Sequence, residues 1–99
     1  MALSKVKVDL DCENWYQLFH SRMYRIHSIL GLHSDTHLYK SKGGHHHAVV
    51  EFKERLTDWQ ILCLQLILGS DPVRECFNFR RLIRGQHNWN ILFEHEELK

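Results

Sequence analysis

Two aspartates, Asp9 and Asp11, close the run Val6-Lys7-Val8-Asp9-Leu10-Asp11, and three histidines, His45-His46-His47, follow the turn Lys42-Gly43-Gly44. Carboxylates two residues apart on a strand share a face. With imidazoles beside them they can hold a divalent cation such as magnesium or manganese, while the imidazoles meet phosphate. Asp9 and Asp11 are therefore the candidate metal ligands, and Ser41, His45 and His47 the candidate nucleotide or phosphate contacts. Arg74, Arg81 and Arg84, on a later helix, are candidate nucleic-acid contacts, since guanidinium groups pair with phosphates. Each set also has an ordinary use: Asp11 as a helix cap, histidines as solvated turn residues, arginines as a solvated face. No serine or cysteine stands in a nucleophile elbow or beside a positioned base, so covalent catalysis is not indicated.

The elements that must position these groups read from periodicity. Residues 5–11 alternate apolar and polar, the signature of a half-buried strand. From Asn14 the apolar residues Trp15, Leu18, Phe19, Ile26, Ile29 and Leu30 follow helical spacing, with Gly31 as the C-terminal stop. Residues 36–41 and 45–52 read as a hairpin around Lys42-Gly43-Gly44. Thr57 and Gln60 form a capping box for a helix through Leu68 that Gly69 closes. Asp71-Pro72 opens another helix to about Arg84, with Cys76, Phe79, Leu82 and Ile83 in one sector and the arginines mostly in another. Trp89 to Phe93 alternates as a final strand, and the charged 94–99 tail extends it or frays.

The order β-α-β-β-α-α-β predicts one α+β domain over residues 1–99. It is a two-layer sandwich with an antiparallel four-stranded sheet and helices on one face, ferredoxin- or RNA-recognition-motif-like, with strand order 4-1-3-2. There Asp9 and Asp11 neighbour His45 and His47. Parity buries Val6, Val8 and Leu10 with Ala48, Val50 and Phe52, and turns Lys7, Asp9, Asp11, His45, His47, Val49 and Glu51 to the open face beside Tyr39 and Ser41. Tyr39 and His37 offer stacking surfaces there.

The bulk composition excludes other classes. With 99 residues the chain is sized for one core, and its apolar and charged fractions are those of a globular protein, not a disordered one. The longest largely apolar run, Ile61 to Leu68, is too short to cross a bilayer, and the first residues carry no apolar leader, so an intracellular chain without a membrane partner is expected. Cys12, Cys63 and Cys76 form no Cys-x-x-Cys pair and are expected as buried, reduced thiols. Trp15, Trp59 and Trp89 fall on expected core stripes. Net charge is +1, but nine histidines add positive charge in acid, favouring polyanions there.

The pattern Val8-Asp9-Leu10-Asp11 followed by Ser41-Lys42-Gly43-Gly44-His45-His46 resembles the first two motifs of archaeo-eukaryotic primases. The resemblance implies metal at Asp9 and Asp11, a nucleotide contact among His45 to His47, and an RNA-recognition-motif-like core. Arg81, Arg84 and Asn88 loosely resemble that family's later Arg-and-Asn segment. No third acidic motif follows, and the chain is shorter than a working primase core. Gly69-Ser70-Asp71-Pro72-Val73-Arg74-Glu75 and Asn88-Trp89-Asn90-Ile91-Leu92-Phe93 resemble small proteins of archaeal filamentous and rod-shaped viruses, which implies a viral protein in the host cytoplasm.

Three functions are expected in turn. The first is a nucleic-acid- or nucleotide-binding accessory domain with a reduced primase-like Asp/His site and DNA or RNA as partner. The second is an interaction or assembly protein without catalysis, binding a partner or forming a homodimer through the open face at Tyr39, Val49 and Leu92. The third is a metal-dependent nuclease or nucleotidyltransferase using the same Asp and His residues.

Overall fold

The computed structural model describes residues 4–40 and 44–91. Strand β1 (Ser4–Leu10) leads into helix α1 (Trp15–Arg25), which continues through a π-helical turn (Ile26–Leu30) to Gly31 in the left-handed region. Strands β2 (Ser34–Lys40) and β3 (His46–Phe52) form the hairpin. Helices α2 (Asp58–Ile67) and α3 (Pro72–Ile83) follow. The Thr57 hydroxyl accepts from the Gln60 N–H while the Gln60 side chain accepts from the Thr57 N–H, so the capping box forms as the sequence indicates. Asp71 caps α3, with Pro72 at its first position.

β3 lies between β1 and β2 and is antiparallel to both. Val6, Val8, Leu10, Ala48, Val50 and Phe52 line one face and pack against Phe19, Met23, Ile26, Leu64 and Leu68. Burying these apolar side chains, at about 1.5–3 kcal/mol each, is the main force holding the layers together.

The four-stranded sandwich is not what forms: the described sheet has three strands, in the order β1-β3-β2, with three helices. The expected order β-α-β-β-α-α-β and the ferredoxin- or RNA-recognition-motif-like plan are thereby corrected. Trp89, Asn90 and Ile91 lie in irregular backbone, while Leu92, Phe93 and the 94–99 tail fall outside the described residues.

The physical reason lies at the outer edge of β1, where side chains take the place of a strand. Lys7 N–H donates to Gln65 Oε1 (3.0 Å), and Lys7 C=O accepts from Arg74 Nη1 (2.9 Å). Asp9 N–H donates to Ser70 Oγ (3.0 Å), and Asp9 C=O accepts from Asp71 N–H (2.9 Å). Backbone groups that would otherwise pair with a fourth strand are already satisfied.

The same edge turns α3 round. Its buried residues are Arg74, Glu75 and Asn78, whereas Phe79 and Ile83, expected with Cys76 to face the core, are exposed. Cys12, Cys63 and Cys76 are free and exposed, not buried. Trp89 is buried, Trp15 packs at the edge of the core, and Trp59 is exposed.

Candidate functional site

The open face of the sheet is a grid set by register. Across β1, β3 and β2 its rows are Lys5-Glu51-Asp35, Lys7-Val49-His37 and Asp9-His47-Tyr39. Since the Lys7 and Asp9 backbone groups point outward to α2 and α3, their pairs with Val49 and His47 are the non-hydrogen-bonded kind, in which side chains approach most closely.

Asp9 and Asp11 do stand beside His47 and His45. His45 Nδ1 lies 2.6 Å from Asp11 Oδ1, with both groups half exposed. His47 Nε2 lies 3.6 Å from Asp9 Oδ1, and there both side chains are largely withdrawn from water. Burial pushes the Asp9 carboxyl above its ordinary range; Arg74 opposes this, while Asp71 and Asp11 add to it. Each aspartate thus faces its own histidine. Among the described residues no three His, Cys, Asp or Glu side chains are grouped to hold a metal ion. Ser41 lies outside the described residues.

Next to this cluster the grid forms the floor of an open groove of about 850 Å³. Lys5, Lys7, His37, Tyr39, Val49 and Glu51 line its floor, and His87, Asn88, Asn90 and Ile91 its wall. Lys7 Nζ donates to the Asn90 carbonyl (3.1 Å), fixing the wall to β1. Burial lowers the Lys7 pKa, and the positive charges of Lys5 and Arg74 lower it further. An anion entering the groove would relieve that repulsion. Glu51 is the groove's counter-charge, 3.9 Å from Lys5 Nζ and 3.4 Å from His37 Nε2.

The three arginines separate. Arg74 is fully buried and donates to Lys7 C=O, Ser70 Oγ, the Glu75 carboxylate, Asn90 Oδ1 and Ile91 C=O. Burial lowers its pKa, and the adjacent Glu75 opposes that shift. It holds β1, α3 and the groove wall together and presents nothing to a phosphate. Arg81 donates to Trp89 C=O and Asn78 Oδ1 in the same support. Arg84 is exposed, and with Phe77, Arg80, Arg81 and Gln86 it lines a separate notch.

Apart from Asn88, singled out only through the resemblance, sequence reasoning missed the groove wall, because residues 87–91 read as a turn and a strand. It also missed Lys5. The available signal was Gln65, the one polar residue in Ile61-Leu62-Cys63-Leu64-Gln65-Leu66-Ile67-Leu68. A polar side chain inside such a run needs a buried partner, and Gln65 finds it in Lys7 N–H, Asn90 and Glu75.

No protein-family model, curated protein or solved structure matches the chain.

Proposed function

We propose that the chain is a binding domain for a nucleotide or single-stranded nucleic acid, which it holds across the open face of the sheet. The observation that carries this reading is the groove: Lys5, Lys7 and His37 offer donors to phosphate oxygens, Tyr39 a ring for a base, and Asn88 an amide for a base edge, while Asn90, tied to Gln65 and Arg74, holds the wall in place. Cations beside an aromatic on a sheet face are the usual elements of single-strand recognition. At one end of the grid, Asp9-His47 and Asp11-His45 would meet a terminal phosphate and any magnesium or manganese it carries, the phosphate oxygens completing the ion's ligand set.

The direct test is calorimetric titration of the protein with a nucleoside triphosphate and with a short single-stranded oligonucleotide, repeated for Tyr39→Ala. Saturable binding that weakens in this variant is expected, since one base-aromatic stack is worth about 1–3 kcal/mol. Equal affinity in both proteins would remove the open face as the site. Manganese titrated with and without nucleotide, against Asp9→Asn/Asp11→Asn, tests the cation separately: binding is expected with nucleotide and lost in the variant.

A further inference from the structure

The outer surface of α2 and α3 is apolar where a solvated face would be expected. Trp59, Leu66 and Ile67 on α2 are 46%, 51% and 50% exposed, and Val73, Phe79 and Ile83 on α3 are 61%, 45% and 62% exposed. Trp59 joins the two helices, its ring meeting Phe79 edge-on with centroids 5.4 Å apart. On its other side Trp59 lines a groove of about 430 Å³ with Leu30, Leu56 and Ile67. The surface therefore carries a ridge, the exposed Trp59–Phe79 pair, beside an apolar groove.

We infer that this surface is the contact between two copies of the chain. Aromatic side chains each carry about 150–250 Å² and aliphatic ones somewhat less, so the half-exposed set offers on the order of 600 Å² of apolar area across the two helices. That is at the top of the range for a monomer's largest patch and approaches the roughly 800 Å² per partner of a stable interface. A two-fold contact must be self-complementary. Ridge and groove on one surface meet that requirement, because the ridge of each copy enters the groove of the other. Arg80 and Arg84 border the ridge, where interfaces are polar. The net charge of +1 opposes self-association little. This inference is independent of the ligand proposed for the sheet, which lies on the opposite face of β1 and β3 from the helices.

The exposed cysteines supply the test, since Cys63 and Cys76 sit on this surface and Cys12, after β1, does not. The full chain is followed by light scattering over rising concentration while a thiol reagent maps each cysteine. The mass is expected to rise from 11.9 kDa towards twice that value. Labelling of Cys63 and Cys76 should slow in step, with Cys12 unchanged. Val73→Glu/Ile83→Glu, at exposed positions, should remain a monomer with all three thiols reactive and with the unfolding midpoint that the native chain shows at monomeric dilution. A constant monomer mass overturns the inference. So does a doubled mass with Cys63 and Cys76 still labelled at the monomer's rate, or doubling that persists in the variant.

Discussion

Helix α1 buries Phe19 and Met23 and turns Tyr16 and Tyr24 to solvent, whereas α3 buries Arg74, Glu75 and Asn78 and exposes Val73, Phe77, Phe79 and Ile83. Both are amphipathic, but they have different neighbours. α1 lies over the apolar face of the sheet, while α3 turns inward to a polar network in which Arg74 meets the Lys7 C=O at the β1 edge and Glu75 and Asn78 meet Gln65, Ser70 and Asn90. An amphipathic pattern indicates that a helix has two faces; its neighbour decides which one is buried. Here a strand edge selects the polar one.

That contrast can be broken most severely at Arg74. Arg74→Met leaves Glu75 buried without its cation and Lys7 C=O without its donor, and is expected to cost about 3–5 kcal/mol in denaturant unfolding. A loss under about 1 kcal/mol would mean that the network can be dispensed with. Phe19→Ala, the matching cut on α1, should cost a similar amount, about 3–5 kcal/mol, by opening a cavity. Gln65→Leu strands Lys7 N–H and the Asn90 amide and should cost about 1–3 kcal/mol. On the outer face of α3, Phe79→Ser removes the edge-on contact with Trp59 and should cost about 0.5–1.5 kcal/mol at monomeric dilution, the smallest of these losses.

Acid sharpens the comparison further. The Asp9 carboxyl is raised mainly by burial, so its ionised form costs stability above its folded pKa, and the cost is relieved as pH falls through that value. Asp9→Asn should therefore raise the unfolding midpoint at neutral pH, with the gain shrinking in acid. Glu54 behaves oppositely: hydrogen bonds from His33 lower its pKa. Its contribution is present above the ordinary carboxylate range and is lost as pH falls through the lowered value. Glu54→Gln should thus lose stability at neutral pH and little in acid.

Much of the scaffold was legible because local signals agreed with it. Alternation gave β1 and β3, the Thr57-Gln60 box opened α2, and Asp71-Pro72 opened α3. Parity and antiparallel pairing put Asp9 and Asp11 in the neighbourhood of His45 and His47, and the structure divides them into the pairs Asp9-His47 and Asp11-His45. Other features depend on tertiary contacts that periodicity does not carry. Residues 89–91 alternate like a strand, yet Gln65, Ser70 and Arg74 occupy the edge they would have paired with. Arg74 and Arg81 look like surface cations until the buried Glu75 and Asn78 are placed beside them. The exposure of Cys76 follows from the same reversal, since it lies on the outward side of α3.

The central claim is that a phosphate-bearing ligand lies across Lys5, Lys7, His37 and Tyr39. It is tested most directly by the salt dependence of single-stranded oligonucleotide binding, read by fluorescence anisotropy in the native protein and in Lys5→Gln. The account predicts affinity that falls steeply with salt, with the logarithmic slope reduced by about 1 in the variant. Affinity indifferent to salt, or an identical slope in the two proteins, would contradict it.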